Sequence, residues 1–365
     1  MMKSAFSVVG GAGFRAQYFL RVAAALPDEF TVSGAVVRDE RRRAELGGKW
    51  AGELALRTYA TVDELLRSEN PDFVILSVPR EETPGYLVRF AELGIPVLTE
   101  TPPAVDLQEL LRLHERLAPF HYRIQVAEQY QFHPHQAARL SLLDSGRIGT
   151  VSEATVSFSH LYHAASLMRL FLGIGFENAE ISGMRFEAQL VAGPDRSGPP
   201  SSERVIAAPR DLAWLNFGGK LGIYDFQQNQ HRSWIRSCHV LIRGERGEVH
   251  DDSVLSLADF ATPLRTELRR VNRGEQENPE GYFLQGILCG ENWLYRNPFA
   301  PARLYDDEVA IATAMRKMAE YVRGGSQFYG LAEASQDTYI GLMIESAIRG
   351  GEPVSMTTQP WATYR

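Results

Sequence analysis

Cysteine is nearly absent: Cys238 and Cys289 are the only two among 365 residues, far apart and without CxxC or His/Cys ligand spacing. That excludes a disulfide framework and a cysteine-built zinc site, and leaves two free thiols suited to a reducing cytoplasm. Lysine is almost as scarce. Lys3, Lys49, Lys220 and Lys317 are the full set, so arginine carries nearly all the positive charge and few side chains are available as a lysine acid or base. No apolar run is long enough to span a bilayer, and Met1-Met2-Lys3-Ser4 leads directly into an apolar segment with no room for a signal peptide. A cytoplasmic protein without a membrane partner is expected. There is no basic excess either: the net charge of −7 argues against nucleic acid, and Arg41-Arg42-Arg43 reads as a solvated helix face. Internal repeats are missing, and His231, His239 and His250 lack ligand-like spacing, so no metal is assigned.

What is present is a change of pattern along the chain. Up to about Ala127, apolar runs such as Asp72 to Ser77 and Ile95 to Thr99 alternate with helical stretches such as Asp39 to Trp50, Thr61 to Arg67, Thr83 to Leu93 and Asp106 to Leu117. Continuous apolar strands between helices of this length predict a doubly wound parallel sheet. Beyond Pro134 the pattern differs. A helix from His135 to Leu143 precedes Thr150 to His160, which alternates with Ala154, Val156 and Phe158 on one face and Glu153, Thr155 and Ser157 on the other. A helix over Ala164 to Leu172 follows, and Ile181 to Asp259 reads as antiparallel strands. Two helices close the chain, one opened by Asp306-Asp307-Glu308 and ended by Gly324-Gly325, the other from Glu333 to Arg349. The expected fold is an α/β Rossmann domain over residues 1–127, then an α+β domain over 128–365 with a large, mostly antiparallel sheet. The last helices are candidates to pack back on the first domain.

The motif richest in chemistry stands at the start: Phe6-Ser7-Val8-Val9-Gly10-Gly11-Ala12-Gly13-Phe14-Arg15-Ala16, a strand running into a glycine turn and then a helix from Gln17 to Ala25. A βαβ dinucleotide fold places its pyrophosphate at such a turn. On this reading Gly11 makes the sharp turn, Gly13 lets a phosphate approach the backbone, and Ala16 gives the close helix–strand contact. A methyltransferase-type glycine loop or a plain tight turn has the same local sequence.

Several segments together resemble the Gfo/Idh/MocA (glucose-fructose oxidoreductase / inositol dehydrogenase) family over nearly the whole chain. They are Val8 to Ala16; Pro71 to Pro79; Gly94-Ile95-Pro96-Val97-Leu98-Thr99-Glu100-Thr101-Pro102, similar to G-x-x-V-x-x-E-K-P; Glu128 to Pro134 with Ser145 to Gly149; Arg243 to Val249; and the last helix through Val354. The resemblance implies an NAD(P)-dependent oxidoreductase whose cofactor meets Gly11, Ala12, Gly13, Phe14 and Arg15, then Ser77, Val78 and Pro79, then Glu100, Thr101 and Gln129. It aligns Arg38 with the acidic residue that binds the ribose hydroxyls of NAD. An arginine there can pair with a 2′-phosphate, which leans the cofactor towards NADP, while Asp39 keeps NAD open.

Two departures from the family stand out. The E-K-P lysine is Thr101, and the D-x-x-x-H element falls on Ser159-His160-Leu161-Tyr162-His163, keeping the histidine but not the aspartate. The proton-handling group is then expected to be His163, because an imidazole as a class can donate or accept a proton at neutral pH, with Tyr162 beside it and Glu100 positioning the pocket. Gln129 and Tyr130 are placed by the resemblance towards the nicotinamide end, and His133 and His135 are read as structural. The expected activity is hydride transfer to or from a sugar, polyol or related small carbonyl or imine compound, by a homodimer or homotetramer formed through the C-terminal sheet. The alternative is a catalytically silent NAD(P)-binding sensor or scaffold, which the paired changes at Thr101 and Ser159 would suit.

Overall fold

The computed structural model describes residues 3–195, 198–274 and 281–362. The chain divides into two compact units, one made of Met1–Pro134, Arg270–Gly286 and Arg296–Ser335, the other of His135–Arg269, Ile287–Tyr295 and Gln336–Arg365. No helix of the described residues is long and apolar enough to cross a membrane.

The first unit opens with β1 (Ser4–Val9), α1 (Ala16–Ala25), β2 (Phe30–Val36), α2 (Glu40–Trp50), β3 (Thr58–Tyr59), α3 (Val62–Ser68), β4 (Phe73–Leu76), α4 (Thr83–Glu92), β5 (Val97–Thr99), α5 (Leu107–Leu117) and β6 (Ile124–Val126). The strands form one parallel sheet in the order β3-β2-β1-β4-β5-β6. They are short and apolar because helices cover both faces: all four residues of β4 are buried, and Phe6 on β1 stacks on Phe73 with ring centroids 5.7 Å apart. Helix starts follow the side chains. Asp39, Thr61 and Asp106 each accept a first-turn amide hydrogen, from Arg42, Glu64 and Glu109 respectively. The order of strands reverses between β1 and β4, which opens a crevice at their carboxyl ends.

After β6 come α6 (Pro134–Asp144), β7 (Val151–Ser157), α7 (Leu161–Leu172), β8 (Glu180–Phe186), β9 (Gln189–Val191), β10 (Val205–Ala207), β11 (Arg210–Asn216), β12 (Leu221–Gln227), β13 (His239–Gly244), β14 (Gly247–His250), β15 (Ser253–Leu257), β16 (Pro263–Arg273), β17 (Phe283–Cys289), β18 (Asn292–Arg296), α8 (Asp306–Val322), α9 (Leu331–Gly350) and β19 (Val354–Ser355). An eleven-stranded sheet runs β18-β17-β16-β15-β14-β13-β7-β12-β11-β8-β19, antiparallel from β16 to β19 apart from the parallel pair of β7 and β12. Within the first unit, α8 packs on α1, held by Arg316 on Glu29 (2.9 Å) and Arg21 on Glu308 (2.7 Å).

Three sequence expectations need correction. The sheet does not stop near Asp259 but continues to Arg296; β16 hides this because Leu268 alone of its residues is buried, so it shows no apolar alternation. The strand expected over Thr150 to His160 ends at Ser157, which is buried instead of facing solvent and accepts a hydrogen bond from Gln230 Nε2 at 2.9 Å. Helix α7 begins at Leu161 and not at Ala164: the Leu161 amide donates to the Tyr224 hydroxyl at 3.4 Å, and Leu161 itself takes a left-handed φ of 40°.

Candidate functional site

The turn after β1 is built from backbone. Gly10 takes φ +87°, and a Cβ there would lie 2.1 Å from the Ser77 carbonyl oxygen at the end of β4, so no other residue fits. Gly10, and not Gly11, therefore makes the sharp turn. Gly11 serves differently: a Cβ on it would come within 2.9 Å of the Ala35 Cβ, so its smallness seats the turn against β2. A Cβ on Gly13 would come 3.3 Å from Gly10 O, a tight contact with the turn's own backbone, and 3.7 Å from Ser77 O.

The turn's carbonyls are already claimed. Gly10 O accepts from Gly13 N at 3.0 Å, Gly11 O from Gln17 Nε2 at 3.1 Å, and Ala12 O from Arg42 Nη2 at 3.1 Å. The amide hydrogens of Ala12 and Arg15 donate to no acceptor among the described residues. With acceptors satisfied and donors open at the start of α1, the cradle has the chemistry of an anion site, and a dinucleotide's pyrophosphate fits it. Ser77, Val78 and Pro79 continue β4 beside this turn, the Ser77 amide donating to Val9 O at 2.8 Å. Phe14 projects half exposed and meets Tyr18 edge-on at 5.6 Å.

At the end of β2, Arg38 is exposed and pairs with Glu82 at 2.7 Å. Asp39 is engaged through Oδ1 as the cap of α2, accepting from Arg42 N at 2.8 Å. The arginine run is not merely solvated, as its charge pattern suggested. Arg42 fastens α2 to the glycine turn, and Arg43 Nη1 donates to Val37 O at 3.2 Å. Guanidinium groups long enough to reach backward over a helix start explain the difference.

The opposite half of the crevice, past β5 and β6, holds a side-chain network. Arg15 Nε bonds Glu100 Oε1 at 3.2 Å and its Nη2 bonds Gln129 Oε1; Gln129 Nε2 donates to Asp307 Oδ1 at 3.1 Å, and His133 Nε2 meets the same oxygen at 3.0 Å. The Arg15 guanidinium also lies 5.0 Å from the Tyr18 ring centre. Burial alone would raise the Asp307 pKa, but His133, Arg15 and Gln129 hold its carboxyl below the usual range. For Arg15, burial opposes the charge and is outweighed by Glu100 and Asp307, so the guanidinium is held more firmly cationic than an ordinary arginine. Thr101 follows Glu100, half-buried, with no charge to add. Sequence reasoning brought Arg15, Glu100 and Gln129 to this place but missed His133 and Asp307. Asp307 reads as an ordinary acid at a helix start, and its distance along the chain from Gln129 left no signal.

In the second unit, His163 sits in the first turn of α7, half-buried. Its ring centre is 4.4 Å from Tyr162 and 5.2 Å from His160, which meets it edge-on. His160 also faces Phe226, which in turn stacks on His231 with ring centroids 6.0 Å apart. Ser159, standing where the family has its aspartate, is 2% exposed, and its hydroxyl has no hydrogen-bond partner among the described residues. Tyr162 and His160 both stand beside the His163 ring. Elsewhere in this unit His135 pairs with Asp252 at 3.1 Å.

Comparison with known proteins agrees with this architecture. Residues 5–168 match the Gfo/Idh/MocA family model, described as an oxidoreductase family with an NAD-binding Rossmann fold. An uncharacterised oxidoreductase of Rhizobium meliloti, ORF334, is 34% identical over 95 residues, 26% of this chain and 28% of that one. The chain spans about a quarter of the length of the curated relatives it matches. Among solved structures, the myo-inositol dehydrogenase of Corynebacterium glutamicum superposes with a TM-score of 0.66 at 13% identity, over 98% of this chain and 100% of that one. The WlbA dehydrogenase of Bordetella pertussis, solved with NADH and UDP-GlcNAcA, gives 0.63 at 14% identity, over 98% and 100%. Through its glycine turn, its parallel sheet and the matched residues 5–168, just under half of its length, this chain is similar to the Gfo/Idh/MocA oxidoreductases.

Proposed function

We propose that this protein is an NAD(P)-dependent oxidoreductase that moves a hydride to or from a sugar, polyol or related small carbonyl or imine compound, with NADP preferred. One observation carries the reading: a donor-open, acceptor-satisfied turn at the switch point of a parallel sheet, which suits a pyrophosphate. A bound nicotinamide supplies hydride exchange at its ring; the chain supplies binding, orientation and proton handling. Arg38, exposed and beside Arg42, supports a 2′-phosphate that would displace Glu82 from it, and Asp39 is already committed to its helix. His163 takes or gives the proton, its ring oriented by Tyr162 and His160, while Glu100 is a positioning carboxylate. The sugar nucleotide in WlbA's structure supports a sugar-like substrate. On the outer face of the second unit's sheet, Met184, Phe186 and Trp214 are large, apolar and exposed, which supports a second copy of this chain covering them. The two unpaired thiols suit the cytoplasm.

Calorimetry with NAD and NADP, followed by absorbance at the nicotinamide band across a sugar and polyol panel, tests the reading. Turnover is expected, with NADP bound more tightly, and His163→Ala should lower kcat by about a hundredfold or more. A second reading, a silent dinucleotide-binding sensor, is favoured by the neutral Thr101 and Ser159. It would hold if cofactor binds, no panel member turns over, and His163→Ala leaves binding of every ligand unchanged.

A further inference from the structure

Glu100 is a carboxylate with a side chain only 16% exposed, at the carboxyl end of β5, and the residue after it contributes no charge. Its ion-pair partner comes from the glycine turn itself. Arg15 is fixed on three sides, by Glu100, by Gln129 and by the Tyr18 ring, while its Nη1 is taken by no acceptor among the described residues. A guanidinium so held is a permanent charge and not a proton donor. The strand order puts Glu100 and Gln129 on the β5–β6 side of the switch point, away from Arg38 just after β2. If the adenine end lies by Arg38, the nicotinamide end falls to the Arg15–Glu100 side.

We propose that Arg15 is the positioning residue that sets the charge at the nicotinamide end, supplying from the end of the glycine turn the cation that Thr101 does not, and so sets the balance between oxidised and reduced dinucleotide. This rests on the dinucleotide reading above. The oxidised ring is positively charged and the reduced ring neutral. A lone Glu100 carboxylate favours the oxidised form, and Arg15 cancels that preference.

The test measures Kd for NADP+ and for NADPH, by calorimetry and fluorescence at low ionic strength, on the intact chain. In Arg15→Gln the ratio Kd(NADP+)/Kd(NADPH) should fall by about tenfold, as expected for one unit of charge at side-chain range. Glu100→Gln should raise it by about as much, the double variant should return close to wild type, and Arg15→Lys should hold it. If Arg15→Gln does not fold by circular dichroism, the opposite shift in Glu100→Gln decides. Loss of affinity for both forms with the ratio unmoved overturns the assignment and leaves Arg15 a structural residue. Wild-type protein that binds neither form overturns the dinucleotide reading, and this assignment falls with it.

Discussion

The two units solve the problem of presenting chemistry in opposite ways. In the first, short strands buried on both faces end in a turn whose main-chain donors do the work, and the side chains that surround it converge from Arg15, Glu100, Gln129 and Asp307. In the second, long antiparallel strands make a broad platform, and the side chains proposed for the proton chemistry, His163 with Tyr162 and His160 beside it, are neighbours in sequence at one helix start. A backbone site tolerates little change at a few glycines and much change elsewhere. A side-chain site is the reverse.

The sharpest test of this contrast is Gly10→Ala. Its φ of +87° and the 2.1 Å approach to the Ser77 carbonyl predict a loss above about 4 kcal/mol in urea unfolding, together with loss of dinucleotide binding. Gly13→Ala should cost less, since its Cβ would stand 3.3 Å from Gly10 O and its backbone needs no left-handed φ, yet it should still weaken dinucleotide binding. If Gly10→Ala is stable, the turn is not a rigid element.

The second unit should break at a side chain instead. Arg169 and Asp337 form an ion pair at 2.8 Å with side chains 5% and 3% exposed. Asp337→Asn removes the carboxylate charge that faces this buried guanidinium and should cost about 3 kcal/mol. A loss below about 1 kcal/mol in the same unfolding assay would mean that the unit relaxes around the arginine.

The smallest effect concerns pH. His114 on α5 bonds the Ser335 hydroxyl at 2.9 Å, and burial pushes its imidazole down to about 4 from the ordinary 6.5. The unfolded chain therefore protonates first. His114 contributes fully above about pH 6.5, and that contribution drains away as pH falls towards 4, by at most about 1.4 kcal/mol for each pH unit. His114→Gln should flatten this slope between pH 6.5 and 4. A slope of unchanged steepness would assign the acid sensitivity to other groups.

Much of the first unit was legible because its rules are local. Asp39, Thr61 and Asp106 announce their helices by capping chemistry, and four buried residues in a row announce β4 as a covered parallel strand. Even there, the choice between Gly10 and Gly11 escaped, because it depends on which glycine faces the Ser77 carbonyl of another strand. The second unit was less legible. Strand β16 has arginines where alternation would be sought, and Ser157 turns inward for Gln230, a partner far along the chain.

By itself the sequence determined the parallel-then-antiparallel plan, the glycine turn and the identity of the altered residues Thr101 and Ser159, since periodicity, caps and composition act over a few neighbours. Only the tertiary structure decided that Arg15 answers Glu100, that Asp307 joins Gln129 and His133, and that Arg42 clamps the turn. Ion pairs and hydrogen bonds form between atoms a few ångströms apart, and which residues come that close is fixed by packing and not by order along the chain.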